Sequence, residues 1–598
     1  MDSKNTLVRQ LPIAYDLSPK KIAIKYKSKK DAKWSSIIWK NYISEIIKLH
    51  YTFKTNDLSK HSKIGIFSNS RYEWALVDWA ALSCELITIP IYPNISSEDL
   101  EYIINDGKIK YLFIESYSLL KQWMMIKQRC QTVQKVIVFD FDETDQIDSQ
   151  VISFNQFYKQ QNSNLEIITT DIFSNFKLNC DNVSPDSVAT IIYTSGTTGR
   201  PKPISLTHHN VYSSSLNALN TLNVKSDDIT LSVLPYSHVL GRTEHFGHIL
   251  FNYTLVFSQS LDKIRQELKE VEPTILVGVP RIFEKIYTSI KLKSETNFFQ
   301  RTAFNRATDI SSQLSHIQQT DNLASIGLIL KYFIAKPLVL DRIKHEVFGS
   351  RFRFAITGGA TLNKDIAEFF HGIGILVLEG YGLTETSGPI TVNTKFDYQF
   401  GTVGKPISGA NIKINSDGEI LVSGDSVMNN NSTNNYQFLD SWLKTGDIGY
   451  INNKGNLVIT DRKRDLIKTA NGKFIAPQKL ESLVKQIKYI SQCHIHGEQK
   501  KYIVALCTLN KSLIIQFAQE NNISFTSIAD LREKSQVQEL IRKGIANINH
   551  QLASHETIKN FYLLPNEFTI EDGELTPSMK LKRKVIDEKY KNIIDSLY

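Results

Sequence analysis

Up to about residue 460, short β-rich runs alternate with longer segments whose apolar residues recur at helical spacing. "SKIGIFSNS" at 62–70 predicts a buried strand and turn, "EWALVDWAALSCE" at 73–85 a helix, and "LITIPIYP" at 86–93 another strand. Later strand-like runs are "KYLFIE", "KVIVFDF", "VATIIYT", "ITLSVLPYS", "FRFAITGGA" and "GILVLEGYG". The alternation predicts an α/β fold, in which mixed or parallel sheets are covered by helices.

The pattern changes near residues 461–465, after "GDIGYINNKGNLVITDRKRD". Beyond this point "APQKLESLVKQI" predicts a helix and "YIVALCTL" a strand, and two more helices and a basic tail follow. A chain of 598 residues also exceeds the size at which one hydrophobic core stops growing. We predict a large N-terminal domain at 1–461, mostly helical at 285–345, and a small α+β C-terminal domain at 462–598.

The composition indicates the cellular compartment of the protein and excludes some classes of binding partner. The net charge of +9 is spread along the chain without a basic stripe interleaved with aromatic residues, which argues against nucleic-acid binding. Five scattered cysteines indicate a reducing, cytoplasmic environment and argue against a structural zinc site. The apolar stretch at 323–340 is broken by Lys331 and Lys336, so it is too interrupted to span a membrane. We interpret it as an amphipathic or buried helix; the alternative is a patch resting peripherally on the inner membrane face.

A dense run of small and hydroxyl residues follows the predicted strand that ends at Tyr193 and Thr194. The run is Ser195, Gly196, Thr197, Thr198 and Gly199, and Lys202 comes three residues later. Glycines allow close backbone approach, N–H and hydroxyl groups bind phosphate oxygens, and a lysine neutralises terminal phosphate charge. The spacing differs from that of a Walker A loop. The density of the run favours a phosphate site over the alternative, an ordinary polar turn.

A second stretch, "LEGYGLTETSGP" at 378–389, combines an aromatic ring with a carboxylate. We expect a strand to end at Glu379 and Gly380-Tyr381-Gly382 to form a tight turn. A tyrosine ring suits stacking on a base, and the carboxylate of Glu385, beside Thr384, suits Mg²⁺ held on phosphates. The alternative for Glu385 taken alone is a solvated surface acid.

Three further stretches carry single candidates. In "WLKTGDIGYINNKGNLVITDRKRDLIK" at 442–468, Asp447 can accept both ribose hydroxyls and Arg462 is placed to share them; the alternative is a β-turn aspartate. In "LPYSHVLGRTEH" at 234–245, His238 by itself predicts a packed or capping residue. The last stretch, "GELTPSMKLKRK" at 573–584, is by itself a solvated basic tail.

These stretches, in this order, resemble the motifs of the adenylate-forming (AMP-binding) enzymes, which include acyl-CoA synthetases, luciferases and adenylation domains of peptide synthetases. "YTSGTTGRPKP" matches the family pattern YTSGTTGxPKG except at Pro203, and "YGLTE" matches YGxTE. "TGGATL" at 357–362 resembles SGGAPL, and "TGD…DRKRDLIK" resembles TGD…DRxKDxIK. The resemblance covers roughly the whole chain and implies the fold of that family, a large domain followed by a small mobile one.

The resemblance also implies roles in binding ATP. Residues 194–199 and Lys202 would hold the phosphates, Thr384 would touch the α-phosphate, and Glu385 would bind Mg²⁺. Tyr381 would stack on adenine. The other residues implied to bind the nucleotide are Gly359, Ala360, Glu379, Gly380, Asp447 and Arg462.

Four more roles follow from the resemblance. Lys580 lies in the TPxxK context of the catalytic lysine, whose charge would offset the negative charge growing on the α-phosphate and the carboxylate. His238 would flank the acyl substrate, although Leu240 and Gly241 replace the Phe and Glu of the usual HVFER. Arg464 falls on the hinge position, and Gly472 would lie on the CoA side.

The stretches "RYEWALVDWAALSCELITIPIYPNISSEDLEYIIND" and "DRKRDLIKTANGKFIAPQKLE" resemble bacterial long-chain fatty acid–CoA ligases, whereas "MNNNSTNNYQFLDS" departs from their GYYxxPEAT segment. The implied activity uses ATP, Mg²⁺, a fatty acid and CoA. One alternative is an enzyme that stops at the acyl-adenylate or loads a carrier protein. Another is a non-catalytic adenylate-binding or membrane-associated scaffold, against which the intact Lys202, Glu385, Asp447 and Lys580 argue.

Overall fold

Two mixed sheets form the first part of the protein. The computed structural model describes residues 5–27, 33–56, 58–141, 148–159, 167–194, 200–294, 298–319, 323–429, 438–576 and 579–598. The seven-stranded sheet has the spatial order β7 (Val151–Ser153), β6 (Lys135–Asp140), β5 (Tyr111–Ser116), β3 (Lys63–Phe67), β4 (Ile87–Ile91), β8 (Val188–Thr194) and β9 (Lys202–Thr207). The nine-stranded sheet has the order β16 (Lys405–Pro406), β15 (Gly388–Val392), β14 (Val377–Leu383), β13 (Phe354–Thr357), β12 (Ile275–Gly278), β10 (Ile229–Ser232), β11 (Thr254–Phe257), β1 (Ile22–Lys27) and β2 (Trp34–Ile38).

Both sheets are parallel in their centres; the nine-stranded sheet is antiparallel at both edges, and the seven-stranded sheet only at its β9 edge. The antiparallel neighbours are β8 with β9, β14 with β15, β15 with β16, and β1 with β2. Central strands are buried and apolar, as parallel strands covered on both faces must be; in β4, for example, all five residues are buried. The predicted α/β fold class is therefore confirmed.

Helices connect these strands. They are α1 (Gln10–Leu17), α2 (Trp39–Thr55), α3 (Tyr72–Ser83), α4 (Ser97–Gly107), α5 (Tyr117–Ile126), α6 (Phe154–Lys159), α7 (Thr170–Asp181), α8 (His208–Thr221), α9 (Val239–Phe251), α10 (Ile264–Val271), α11 (Pro280–Ser294), α12 (Phe298–Gln319), α13 (Ile326–Ala335), α14 (Asp341–Phe348) and α15 (Lys364–Gly372). Short 3₁₀ turns occur at Lys127–Arg129 and Thr384–Thr386, and a π turn at Lys336–Leu340. Residues 285–345 are mostly helical where described, as predicted.

A buried ion pair fixes α3 against α9. Arg242 Nη1 lies 2.7 Å from Asp78 Oδ1, and His245 Nε2 lies 3.1 Å from Asp78 Oδ2. All three side chains are almost fully buried, so the charge on Asp78 is compensated only by these neighbours. This contact sets the position of α9, whose N-cap residue is His238.

A third sheet leads to the C-terminal part. It contains β17 (Ala410–Ile414), β18 (Glu419–Gly424), β20 (Trp442–Ile451) and β19 (Phe438–Leu439), and β21 (Leu457–Arg462) pairs with β20. The chain leaves this sheet after Arg462, beside the boundary that we predict at 461/462. The position of that boundary stays a prediction.

The remaining chain forms a hairpin and a three-stranded sheet. Its elements are β22 (Ile467–Lys468), β23 (Phe474–Ile475), α16 (Pro477–Val484), β24 (Ile490–His496), β25 (Ile503–Leu509), α17 (Lys511–Glu520), α18 (Ile528–Glu533), α19 (Ser535–Asn549), β26 (Ile558–Leu564), α20 (Arg583–Lys589) and α21 (Lys591–Ser596). The prediction of two helices and a basic tail after β25 was incomplete, because three helices and β26, which pairs with β25, follow it. The basic stretch at 573–584 enters α20 only at Arg583.

The apolar stretch at 323–340 is helical from Ile326 onward and is apolar on both its exposed and its packed sides. Several large apolar side chains are exposed, from 56% at Leu338 to 77% at Ile326 and 100% at Leu323, whereas Leu340 is fully buried and Tyr332 and Val339 pack against the core. Of the predicted amphipathic or buried helix, the fully buried form is therefore wrong. Within the described residues, no helix is both long enough and apolar enough to cross a bilayer.

Candidate active site

One cleft of about 700 Å³ gathers most of the predicted site residues from three of the sheets and from the C-terminal part. The predicted residues that line it are Thr194, Lys202, His238, Gly359, Ala360, Gly380, Tyr381, Thr384, Glu385, Asp447, Arg462, Arg464 and Lys580. Ser195, Gly196, Thr197, Thr198 and Gly199 lie outside the described residues. Glu379 and Gly472 are not among the lining residues.

Strands β8 and β9 bring both ends of the predicted phosphate-binding run together. Thr194 pairs with Lys202 in the antiparallel register, and its Oγ1 donates to the Lys202 carbonyl at 3.4 Å. Pro203, where the family pattern has glycine, lies on β9 at the edge of the sheet. Proline is tolerated in an edge strand, because it lacks an N–H and such strands have N–H groups that point away from the sheet and pair with no other strand. An effect of Pro203 on phosphate contacts stays a prediction.

A hydrogen-bonded group of three side chains forms the predicted base- and ribose-binding wall. The Tyr381 hydroxyl donates to Asp447 Oδ2 at 2.7 Å, and Arg462 Nε lies 3.2 Å from Asp447 Oδ1. Asp447 and Arg462 are register partners on β20 and β21. Asp447 is therefore inside a strand rather than in a β-turn. Its carboxylate is buried but paired, which keeps an anion in place for hydrogen-bonding to hydroxyl groups.

The prediction of a turn at 380–382 was wrong, because β14 continues to Leu383. Gly382 makes this possible: a Cβ there would come within 2.0 Å of the Gly388 carbonyl oxygen on β15. The register also shifts between Tyr381 and Gly382, as in a β-bulge. The turn comes later, at Thr384–Thr386, and it presents Thr384 and Glu385 to the cleft.

Glu379 stands behind the cleft wall and supports it. Its Oε2 accepts the Leu362 N–H at 3.0 Å and so anchors the turn that carries Gly359 and Ala360. Burial raises the pKa of Glu379 to about 7, although backbone hydrogen bonds oppose the shift. Gly359 has φ +82°, a conformation that favours glycine. In this structure Glu379 supports the cleft wall without lining the cleft, and its predicted contact with a nucleotide stays a prediction.

The donor set at Thr384 and Glu385 fits Mg²⁺. A carboxylate and a hydroxyl supply the oxygen ligands that this hard cation prefers, and Mg²⁺ in nucleotide sites is commonly held by one or two carboxylates together with the phosphates. The Glu385 carbonyl accepts the Met428 N–H at 2.8 Å, which fixes the backbone at this position. Glu385 is the residue that would hold the ion.

Lys580 reaches the cleft from a tight turn of the C-terminal part. The Lys580 N–H donates to Thr576 Oγ1 at 3.0 Å, and the Thr576 N–H donates to the Lys580 carbonyl at 2.8 Å. Burial by the surrounding walls, helped by the charge of Arg462, lowers the pKa of Lys580 to about 8. The carboxylates of Asp447 and Glu385 oppose this shift. The Lys580 side chain is nevertheless exposed to solvent inside the cleft, and this exposure reduces the amount by which burial lowers its pKa.

His238 both caps a helix and lines the cleft. Its Nδ1 accepts the Leu240 N–H at 3.2 Å, so the capping prediction from the bare sequence is confirmed. Burial and the charge of Lys580 lower the pKa of His238 to about 4, which makes the ring neutral near pH 7. With Nδ1 accepting, the proton lies on Nε2, and His238 can offer an N–H donor to a group in the cleft.

The predicted hinge and CoA-side residues occupy different surroundings. Arg464 is exposed and lies two residues after the end of β21. Gly472 has φ +73° in the turn between β22 and β23, and nothing lies within 4 Å of the position that its Cβ would take. In this structure Lys580 therefore lines the cleft, whereas the turn that contains Gly472 does not.

Three supporting residues escaped the sequence analysis. Thr445 Oγ1 accepts the Asp447 N–H at 3.1 Å, a local Ser/Thr turn that the "KTGD" stretch could have indicated. Glu419 Oε1 accepts the Gly446 N–H at 3.0 Å, and Glu419 Oε2 lies 2.9 Å from Lys463 Nζ. The pairing of Glu419 with residues that follow it by 27 and 44 positions had no sequence signal.

Two family profiles match this chain, one over each of its two parts. The profile described as AMP-binding enzyme matches residues 16–430, and the profile described as AMP-binding enzyme C-terminal domain matches residues 464–598. The chain belongs to the AMP-binding enzyme family. The long-chain-fatty-acid–CoA ligase FadD15 of Mycobacterium bovis is 31% identical to this chain over 547 residues. The matched region covers 90% of this chain and 88% of FadD15. The long-chain-fatty-acid–CoA ligase ACSBG2 of Xenopus laevis is 28% identical, with 96% and 81% covered.

Solved structures of AMP-binding enzymes share the fold. The anthranilate CoA ligase AuaEII in complex with anthranoyl-AMP superposes with a TM-score of 0.73 at 15% identity and covers 100% of both chains. The O-succinylbenzoate coenzyme A synthetase MenE of Bacillus subtilis, in complex with ATP and magnesium, superposes with a TM-score of 0.66 at 20% identity, covering 96% of this chain and 98% of that one. At these identities the likeness establishes the fold alone.

Proposed function

We propose that this protein is an ATP-dependent ligase that activates a long-chain fatty acid as its acyl-adenylate. It then transfers the acyl group to the thiol of CoA and releases AMP and pyrophosphate. The observation that carries the proposal is the convergence of Lys202, Tyr381, Asp447 and Lys580 on one cleft. Similarity to proteins named long-chain-fatty-acid–CoA ligases supports the choice of substrates.

In the first half-reaction, a carboxylate oxygen attacks the α-phosphorus of ATP and pyrophosphate leaves. Asp447 and Arg462 hold the ribose and Tyr381 stacks on the base, so the α-phosphorus is fixed in position. Lys202 neutralises the leaving phosphates, and Lys580 offsets the charge that grows between carboxylate and α-phosphate. Glu385 would hold Mg²⁺, which when bound would further neutralise charge at the phosphates.

In the second half-reaction, the CoA thiol attacks the acyl carbonyl and AMP leaves. Lys580 has then finished its role, and the C-terminal part rotates about Arg464. The exposed turn around Gly472 comes to face the acyl group. A few residues in a linker suffice for such a hinge, and Arg464 lies two residues after the last strand of the third sheet.

The same cleft offers an apolar lining for the acyl chain. Its apolar lining residues include Ile91, Ile95, Ile103, Ile192, Val239 and Leu240. Leu240 follows His238 by two residues, so the neutral imidazole lies where polar and apolar lining meet. A fatty acid presents the same combination of a polar head and an apolar tail.

A product assay with a chain-length series of fatty acids tests the proposed function. Purified protein is incubated with ATP, Mg²⁺ and CoA, and acyl-CoA, acyl-AMP and AMP are quantified by mass spectrometry. We expect acyl-CoA and AMP in equal amounts, with a maximum at long chains. Acyl-AMP that accumulates without thioester, or thioester formed only on a carrier protein, would refute the CoA ligase. Failure to exchange pyrophosphate with any acid would favour the scaffold alternative.

We also propose that the protein acts in the cytoplasm and touches the inner membrane face through α13 and its flanks. Leu330, Phe333 and Ile334 are 58%, 65% and 64% exposed, and Lys331 lies among them. A contiguous apolar strip beside lysines suits an anionic lipid surface, into which such a helix sinks its apolar face.

Vesicle sedimentation tests this contact. We expect binding to vesicles that contain phosphatidylglycerol and loss of most of it in the double variant Phe333→Ser with Ile334→Asn. Phe396→Ser, at a phenylalanine that is 87% exposed elsewhere, is the matched control. Equal sedimentation of all three proteins would rule out α13 as the contact surface.

A further inference from the structure

Two histidines and an aspartate converge in the C-terminal part, away from the cleft. His494 and His496 lie two positions apart on β24, so their side chains leave the same face of the strand. Asp587 lies on α20, which packs over that face. His494 Nε2 and His496 Nδ1 both lie 2.8 Å from Asp587 Oδ1. Among the described residues, this is the group of three whose ligand atoms all lie within 4.8 Å of one another.

The three side chains differ in solvent exposure, from the buried His494 to the partly exposed Asp587. The exposed fractions are 1% at His494, 15% at His496 and 35% at Asp587. An ion can therefore enter from the Asp587 side, and that side leaves room for a water ligand.

A carboxylate stands behind the buried histidine. His494 Nδ1 lies 3.9 Å from Glu481 Oε1, and this nitrogen makes no hydrogen bond in the described structure. Glu481 is itself held by Arg583, whose Nη2 donates to Oε2 at 2.7 Å. In metal sites, the second ring nitrogen of a ligating histidine faces such a carboxylate, which orients the ring and raises its basicity. Glu481 faces the correct side of the ring for this role but lies beyond hydrogen-bond distance, and its Oε1 also accepts the Ile495 N–H at 3.0 Å.

We propose that His494, His496 and Asp587 form a binding site for a divalent transition metal, best matched by Zn²⁺. Two imidazoles and one carboxylate are three of the four ligands of a tetrahedral zinc site, with water as the fourth. Mg²⁺ and Ca²⁺ are disfavoured because they prefer oxygen ligands. Bond lengths of about 2.0–2.1 Å place ligand atoms about 3.3 Å apart, so the carboxyl group needs to move only slightly from its 2.8 Å contacts. The cysteine spacing could not indicate this site, since it uses no cysteine.

A metal ion bound at this site would also stabilise the segment that precedes α20, which contains Lys580. α20 begins at Arg583, three residues after Lys580, and Asp587 is on this helix. A bound ion would fasten α20 to β24, and so would stabilise the C-terminal part that carries Lys580. The proposal does not depend on the proposed function, because it concerns binding and stability.

Metal titration of the full chain, freed of metal with EDTA, tests the proposal. With ZnCl₂ as the titrant in calorimetry, we expect one ion per chain and a rise in Tm that an excess of Mg²⁺ does not reproduce. Co²⁺ should give the visible absorption of a tetrahedral site. Asp587→Asn and His496→Gln should each weaken Zn²⁺ binding at least tenfold. His555→Ala, at an exposed histidine of the same part of the chain, should bind as the wild type does.

The two ligand variants guard against a folding artefact. Asp587→Asn removes the negative charge that both histidines contact, so its Tm without metal is measured first. His496→Gln changes a position that is only 15% exposed but retains a polar side chain, so its Tm without metal is measured as well. Binding of Zn²⁺ to the wild type with unchanged affinity in both variants would place the ion elsewhere and overturn the proposal. Absence of Zn²⁺ binding to the wild type would mean that the three residues are a hydrogen-bonded network only.

Discussion

Replacement of Lys580 should separate the two half-reactions. In Lys580→Ala, we expect ATP–pyrophosphate exchange driven by a fatty acid to fall by about 10²–10³, the usual cost of removing one preorganised group that stabilises developing negative charge. Thioester formation from supplied acyl-AMP should change less than about threefold, since Lys580 is assigned no role in that step. Lys584→Ala, at an exposed lysine four residues away, is the matched control and should leave both steps unchanged.

The lowered pKa of Lys580 gives the prediction a second readout. Since the pKa is about 8, about ten lysines are protonated for each neutral one at pH 7, and about one for each ten at pH 9. The kcat/KM for ATP in the exchange reaction, which reports the free enzyme, should therefore fall as pH rises through about 8.

Lys580→Arg tests the cause of this fall. Arginine keeps its charge throughout this range, so any activity that the variant retains should not fall near pH 8. Normal exchange in Lys580→Ala, or an unchanged pH profile in Lys580→Arg, would refute the assignment of the catalytic lysine.

Three further changes have defined outcomes. Asp447→Ala removes the acceptor of the Tyr381 hydroxyl and the partner of Arg462, so the KM for ATP should rise about 10- to 100-fold, a loss of about 1.4–3 kcal/mol, with little change in the KM for CoA. Arg464→Pro fixes φ at the hinge, so thioester formation from acyl-AMP should fall at least tenfold while pyrophosphate exchange persists; equal loss of both would argue against a hinge there. Burial raises the pKa of Glu244 from 4.5 to about 7, against hydrogen bonds from Thr230 and Ser232, so the folded state binds this proton more tightly than the unfolded state. Stability should therefore decline by roughly 3 kcal/mol between pH 4.5 and 7, and Glu244→Gln should flatten that decline in denaturant titrations.

The local parts of the fold and site were predictable from the sequence. Tyr193 and Thr194 were expected at a strand end, and β8 ends at Thr194. Thr384 with Glu385, and Asp447 with Arg462, were each expected to act together, and each pair lines the cleft. Such predictions succeed where the chemistry is encoded in neighbouring residues or in one hairpin.

Contacts between distant segments were not predictable. Gly380 and Gly382 indicated a turn, but the close approach of β15 makes glycine necessary inside a strand. Glu379 ends in a supporting position because Leu362, 17 residues earlier, supplies the N–H that its carboxylate accepts. His494 and Asp587 are 93 residues apart, and only the packing of α20 on β24 brings them together. A single sequence carries no signal for pairings of this kind.

The carboxylate of Glu419 connects two segments to which we assign different tasks. One oxygen accepts the N–H of Gly446, next to Asp447, and the other contacts Lys463, the residue before the proposed hinge at Arg464. The Lys463 N–H also donates to the Gly446 carbonyl at 2.8 Å. Under the proposed rotation about Arg464, these contacts would transmit movement at Lys463 to the segment beside Asp447, so that release of AMP and rotation of the C-terminal part would be coupled.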